Sequence, residues 1–296
     1  MQTNRRRFLQ VGALAVAAPA VVPAPAITRE HAPRFRFKTS LAAYSLRQLL
    51  DLKNPKMTLL EFIDKCDEWG CDGVELTEYY FPKPITPEYI SKVKHRVAKL
   101  GLVVTGTPVG NEFTHPPGEA RDKQIAHVKN WIDISADLGS PAIRIFAGSV
   151  KKGSNEEEAR KNAIESINIV LEHAAKRGVF LALENHGGIV ATAEGMLAII
   201  KEIKHDWFGV NLDTGNFHTP DPYGDLEKIA AYSVTCQVKA EVNPLGGKRQ
   251  ETDYKRIVDI LSKAKYRGYL TLEYESAEDP MTGCPKHLEA IRKAIG

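Results

Sequence analysis

One beat recurs eight times along this chain: a short apolar run, a Gly or polar turn, then a longer amphipathic stretch. The strand candidates are Phe37–Leu46, Gly73–Thr77, Val103–Thr107, Ala142–Ala147, Val179–Glu184, Phe208–Asp213, Thr235–Val242 and Tyr269–Tyr274. The helix candidates that follow them are Leu59–Trp69, Pro87–Leu100, Glu119–Leu138, Glu156–Lys176, Ala193–Ile203, Gly224–Ala231, Tyr254–Lys265 and Pro285–Ile295. Gly70, Gly101, Gly139, Gly178 and Gly268 fall where helix should yield to strand, as C-terminal caps do. Eight such pairs predict an α/β fold, a parallel eight-stranded (β/α)8 TIM barrel in a single domain. An open doubly wound sheet seldom strings together so many even units. No Gly-x-Gly-x-x-Gly follows the first run, and neither a phosphate loop nor a Gly-x-Ser-x-Gly elbow occurs.

The N-terminus reads as a segment apart. Asn4-Arg5-Arg6-Arg7-Phe8-Leu9-Gln10 has the arginine pair and following apolar pair of a twin-arginine export signal. Val11 to Val22 supplies the apolar stretch, and Ala24-Pro25-Ala26 a small-x-small cleavage site. The stretch is too short to span a bilayer of about 30 Å, so no stable membrane anchor is expected after cleavage. Residues 1–26 are thus expected to be a signal peptide and 27–296 the barrel domain, periplasmic or secreted. Of the net charge of +3, three positive charges are arginines of residues 1–26, which hold no acid, so the remaining chain is neutral. A neutral domain has no general attraction for nucleic acid or an anionic membrane. Cys66, Cys71, Cys236 and Cys284 show no metal-site spacing and read as buried thiols.

Alternate residues of a strand point to opposite faces. Phe180, Ala182, Glu184 and His186 therefore share a face, as do Asn211 and Asp213, then Gln237, Lys239 and Glu241, then Thr271, Glu273 and Glu275. The opposite faces are apolar: Val179, Leu181 and Leu183; Val210 and Leu212; Val238, Ala240 and Val242; Leu270, Leu272 and Tyr274. An oily face covered by helices and a polar face turned inward is the pattern of barrel strands. Barrel chemistry sits at the C-terminal strand ends, where Glu184, Asp213, Gln237 and Glu273 gather. Three carboxylates and an amide oxygen suit one divalent ion, Mn2+ or Mg2+ before Co2+ or Zn2+. The competing reading is a cationic cluster in which Lys239 and Arg144 neutralise the acids, which otherwise repel and take up protons.

Leu183-Glu184-Asn185-His186, Leu212-Asp213-Thr214-Gly215-Asn216 and Leu272-Glu273-Tyr274-Glu275, in that order and at those intervals, resemble the xylose isomerase-like TIM barrels. That group contains sugar isomerases, ketose 3-epimerases, inosose dehydratases and endonuclease IV-type enzymes. The resemblance implies that Glu184, Asp213 and Glu273 hold a divalent ion and that Glu184 and Glu273 also serve as acid and base. The family's histidine ligand falls at Gln237, a weaker donor than imidazole. A second family histidine falls at Asn216. The implied function is a metal-dependent carbohydrate isomerase or epimerase that abstracts a proton beside the carbonyl of a sugar or keto-sugar. A lyase or dehydratase using the same site, and a barrel that binds sugar without turnover, are the alternatives.

The substrate-facing residues expected are His186, Asn216, Lys239, Arg144, Glu241, Glu275 and His218, with Tyr79, Tyr80 and Phe81 and Asn111 to Phe113 offering aromatic and amide surface. The only partner expected is a small carbohydrate, apart from the homo-oligomers common in the family.

Overall fold

The computed structural model describes residues 37–296. The expected signal peptide and cleavage site lie outside the described residues. Eight parallel strands form one sheet: Lys38–Ala42, Gly73–Glu75, Val103–Gly106, Ala142–Ile145, Phe180–Glu184, Phe208–Asp213, Ser233–Val238 and Tyr269–Leu272. Their order is third, second, first, eighth, seventh, sixth, fifth, fourth. The gap between third and fourth is bridged just past the third strand, where Thr107 N donates to Ala142 O at 3.2 Å and Val109 N to Arg144 O at 3.1 Å. That is the nearly closed (β/α)8 TIM barrel the repeating beat predicts.

The helices are Leu59–Glu68, Pro87–Lys99, Glu119–Leu138, Glu156–Arg177, Ala193–Ile200, Pro222–Ile229, Tyr254–Lys263 and Pro280–Ile295, and a short helix Arg47–Leu50 follows the first strand. Their apolar stripes cover the outward face of the sheet. Tyr254–Lys263, for example, buries Ile257, Val258, Ile260 and Leu261, and each such side chain contributes about 1.5–3 kcal/mol when fully removed from water. No helix among the described residues is long and apolar enough to cross a membrane.

Local rules account for most boundaries. Thr58 caps Leu59–Glu68 in a reciprocal box with Glu61. Gly139 and Gly178, with φ of 77° and 68°, close the two longest helices in the left-handed conformation that lacks a steric cost for glycine.

The first strand ends at Ala42 instead of Leu46, because Ala43–Leu46 turns into a 3-10 helix, and several helix ends move by two or three residues. Three further expectations shift. The last helix begins at Pro280 rather than Pro285, because Asp279 caps it and a proline fits the first turn. Gly268 is not a helix cap: Lys265 takes the positive φ of 60°, and a Cβ on Gly268 would stand 2.1 Å from the Tyr266 hydroxyl.

The third shift matters for the site. The seventh strand stops at Val238 instead of running on to Val242, and Glu241–Val242 pairs antiparallel with Gln250–Glu251 in a small hairpin.

The barrel interior is unusually polar. Ser40, Glu75, Thr105, Arg144, Glu184, Asn211, Asp213, Gln237, Thr271 and Glu273 are all buried. At its lower end Ser40 and Thr105 share a hydroxyl hydrogen bond of 2.9 Å. Most TIM barrels fill this space with branched apolar side chains, so each polar group here requires a partner.

Candidate active site

The site gathers residues from six strands. Glu75, Glu184 and Asp213 end the second, fifth and sixth strands, Arg144 lies in the fourth and Gln237 in the seventh. Lys239 and Glu273 follow directly on the last residues of the seventh and eighth strands. Parallel register sets Glu184 beside Asn211, Asp213 beside Gln237, and Gln237 beside Thr271. These contacts follow from strand pairing and need no loop.

Glu184 is held on both oxygens. Arg144 Nε lies 2.8 Å from Oε2, an ion pair whose angle falls short of a hydrogen bond. Asn211 Nδ2 stands 3.3 Å from the same oxygen, and Asn216 Nδ2 donates to Oε1 at 2.9 Å. The arginine is anchored in turn: it donates to Val109 O at 2.9 Å, and its guanidinium lies 3.9 Å over the Phe146 ring.

On the opposite wall Lys239 pairs with Glu273 and Glu275 and lies 3.4 Å from Asp213 Oδ2. The other Asp213 oxygen accepts from Gly215 N at 2.9 Å, whereas Oδ2 is buried without a hydrogen bond. Asn185 grips the backbone of Asp213 at both N and O, each at 2.9 Å, so that strand end is rigidly placed.

Between the two walls lies a chain of amides. Thr235 Oγ1 donates to Asn211 Oδ1 at 2.8 Å, and Asn211 Nδ2 donates to Gln237 Oε1 at 2.6 Å. Gln237 Nε2 then donates to Glu75 Oε1 at 2.7 Å and stands 3.2 Å from Glu273 Oε1. Gln237, expected to offer its oxygen to a shared ion, here turns it to Asn211. Its oxygen satisfies Asn211 and its N–H groups face the carboxylates, the orientation that leaves no acceptor facing an acceptor.

The remaining expected residues separate. Asn216, Arg144, Lys239 and Glu275 join the network. Glu241 does not pair with Lys239, because the strand break turns it away: it accepts from Ser276 Oγ at 2.7 Å and lies 3.6 Å from Arg249. His186 is exposed and stacks on Phe146 with ring centroids 4.4 Å apart instead of orienting Glu184. His218 is exposed at the lip, 3.2 Å from Asn243 O. Tyr79 reaches Arg144 from the loop after the second strand. Asn111 fixes the Phe146 backbone through two hydrogen bonds of 2.8 Å.

Glu75 is the residue that the strand-end reading passed over. The same alternation finds it, since Gly73, Glu75 and Thr77 share a face of the second strand. The side chain is buried, and among the described residues the amide of Gln237 is its one hydrogen-bond partner.

A family description, the xylose isomerase-like TIM barrel, matches residues 63–294. The chain belongs to that family. No curated protein matches it.

Among solved structures, a xylose isomerase-like TIM barrel protein from Mycobacterium smegmatis in complex with magnesium is 18% identical, with a TM-score of 0.70 over 88% of this chain and 97% of its own. D-psicose 3-epimerase from Clostridium cellulolyticum H10, solved with D-tagatose, is 15% identical, with a TM-score of 0.71 over 88% and 99%. An IOLI protein with a bound zinc atom is 16% identical, with a TM-score of 0.69 over 87% and 96%. At these identities the likeness is one of fold.

Some of these xylose isomerase-like barrels hold a divalent ion, and the donor set here can be tested for the same fit. Glu184 has both oxygens engaged, and the Gln237 oxygen is turned to Asn211. Among the described residues Asp213 Oδ2 is the one oxygen of the expected set without a hydrogen bond, and the Lys239 ammonium stands beside it. Among the described residues no three His, Cys, Asp or Glu side chains are grouped to hold a metal. In this arrangement the residues do not fit a divalent ion.

Burial dominates the protonation of this xylose isomerase-like site. It raises Glu184 and Asp213 above the usual carboxylate range, although Arg144 and Lys239 respectively pull them back. Burial also pushes Glu273 upward, but the charge and hydrogen bond of Lys239 outweigh it and the group ends below its ordinary value. Glu75, driven first by burial and then by the Glu273 charge, is pushed up from 4.5 to about 8.

The folded value of Glu75 exceeds the unfolded one, so the fold keeps a proton that the unfolded chain releases at neutral pH. This favourable contribution is whole below pH 4.5 and is lost as the pH rises toward about 8. Glu184 and Asp213 act in the same direction. Urea unfolding at pH 5, 6.5 and 8 is expected to show falling stability, with Glu75→Gln removing up to about 1.4 kcal/mol per pH unit of that slope. An unchanged slope in the variant would show that Glu75 is ionised in the fold.

Proposed function

We propose that this barrel is a sugar isomerase or epimerase that moves a carbon-bound proton beside a carbonyl. The observation that carries the reading is a pair of buried carboxyl groups, Glu184 at the end of the fifth strand and Glu273 just past the eighth, near enough that the charge of one acts on the other. Their surroundings push their protonation apart: Glu184 is raised by burial, while Glu273 is held low by Lys239. Paired groups tuned in opposite directions supply an acid and a base at one pH.

In this reading Glu273 takes the proton from carbon and Glu184 delivers one to the opposite face. Arg144 and Asn216 hold Glu184 in place. Phe146 and His186 form an aromatic shelf on which the nonpolar face of a sugar can rest. Loss of a β-hydroxyl from the same enediolate would make the enzyme a lyase, and the same assay distinguishes the two outcomes.

The test is incubation of the purified protein with ketohexoses and 3-keto-sugars in deuterium oxide, followed by NMR. Deuterium at the carbon beside the carbonyl, with an epimer appearing, supports the reading; deuterium with a dehydrated product supports the lyase. A wild type that exchanges no substrate carbon on any of these sugars leaves a binding barrel.

Export through the twin-arginine route is part of the same proposal and rests on Arg5, Arg6 and the cleavage site at Ala24-Pro25-Ala26. Fractionated cells are expected to hold a shortened chain outside the cytoplasm, and Arg5→Lys with Arg6→Lys to retain the full-length chain inside. Full-length wild type found only in the cytoplasm would remove the proposal.

A further inference from the structure

We propose that Lys239 is the resident cation of this site, standing between the Asp213, Glu273 and Glu275 carboxylates where a divalent ion would otherwise be needed. The inference rests on the isomerase reading above for its chemistry, but its binding prediction does not. Placement is the first observation. Lys239 pairs with Glu273 and Glu275, and its ammonium lies 3.4 Å from Asp213 Oδ2, the buried oxygen with no hydrogen bond of its own. A metal on Asp213 and Glu273 would have to share that space.

The second observation is that the lysine is built into place. Its backbone N donates to Thr214 Oγ1 at 2.9 Å, and Thr252 Oγ1 donates to its carbonyl at 2.7 Å. Its stem runs over Gly215, where a Cβ would stand 2.6 Å from Lys239 Cγ and 2.8 Å from its Cβ. Glycine at 215 therefore clears the path along which the side chain enters the pocket. The end of the seventh strand at Val238 places Lys239 at the turn, between the loop of the sixth strand and the hairpin.

The third observation is Gln237. In the resemblance this position carries a metal ligand, yet here its oxygen accepts from Asn211 and its N–H groups face Glu75 and Glu273. An amide donating to the acids supports them as hydrogen-bonded anions and acids, and withdraws a ligand from any metal. A buried ammonium held this way can donate to a developing oxyanion.

The step balances without a metal or redox partner. The substrate C–H bond breaks and its proton passes to Glu273. The electron pair forms a carbon–carbon double bond, and the carbonyl π pair moves onto oxygen, which accepts a hydrogen bond from Lys239. Protonated Glu184 then forms the new C–H bond on the other face. The product has the composition of the substrate, and exchange with water resets the two carboxyl groups.

Mn2+ alone, titrated calorimetrically into chelator-treated, dialysed protein, reads the proposal directly. Wild type and Lys239→Arg are expected to show no saturable uptake up to about 1 mM. Lys239→Met is expected to bind Mn2+ at least about 100-fold more tightly than wild type, because the acids lose their cation. A Lys239→Met protein that binds no more tightly than wild type overturns the proposal. Should circular dichroism show Lys239→Met unfolded, Gly215→Ala decides by the same criterion, since its methyl displaces the lysine stem.

A second readout concerns the reaction. Chelated wild type should keep its solvent-exchange rate on a ketose within about two-fold, while Lys239→Met loses it; loss of exchange on chelation overturns the proposal. A wild type inactive on every ketose defeats the isomerase reading instead, and the Mn2+ titration still decides the place of Lys239.

Discussion

Glu273→Gln is expected to lower solvent-proton exchange on a ketose by about 10³-fold or more while leaving the barrel folded, the scale at which general-base groups act. The amide keeps the size of the side chain but cannot accept a proton. It also leaves the Lys239 ammonium with Glu275 and Asp213 as partners. Glu184→Gln should cost a similar factor in epimer formation by removing the acid, and for that product the double variant should be little slower than either single one, because the two groups act as a unit. Comparing kcat and KM separates the roles: loss in kcat with near-constant KM marks proton transfer, whereas a rise in KM alone marks binding. Exchange within about ten-fold of wild type in Glu273→Gln, with epimer formation within the same range in Glu184→Gln, would exclude this pair as the acid and base.

The second large effect lies in stability. Arg144→Met is expected to cost about 3–5 kcal/mol, the range for removing one partner of a buried ion pair. Arg144 is 6% exposed, contacts Glu184, donates to Val109 O and stacks on Phe146. Removing it leaves Glu184 buried among amides that donate to it, without a balancing charge. The group responds by holding its proton more firmly, so the loss should deepen with rising pH. Adding Glu184→Gln should return part of the loss, since no buried charge is then left alone. Urea midpoints for the two single variants and the double close the cycle. A loss under about 1 kcal/mol from Arg144→Met would place the pair among weakly coupled surface bridges.

Much of the barrel was legible because its cause is local. Helix Glu119–Leu138 coincides in sequence and structure, since its apolar positions, acidic first turn and terminal Gly139 all lie within the segment. The seventh strand was read too long for the opposite reason. Alternation continues through Lys239 and Glu241, but pairing with the eighth strand covers only Gln237 and Val238, and the residues beyond turn into a hairpin. Glu75 was readable by alternation, yet nothing in its own strand shows that an amide from the seventh strand will meet it.

Sequence alone determined the repeating unit, the inward polar face and the membership of Glu184, Asp213 and Glu273 in one rim, because side-chain direction along a strand depends only on the backbone period. Tertiary structure alone decided which charges meet. Pairing of neighbouring strands brings Lys239 of the seventh strand's end to Asp213 and Glu273, and Arg144 of the fourth to Glu184. It also turns the Gln237 amide, whose orientation depends on Asn211 on one side and Glu75 on the other. Those encounters join residues as far apart as 162 positions, and electrostatic energy depends on distance in space, which no spacing along the chain specifies.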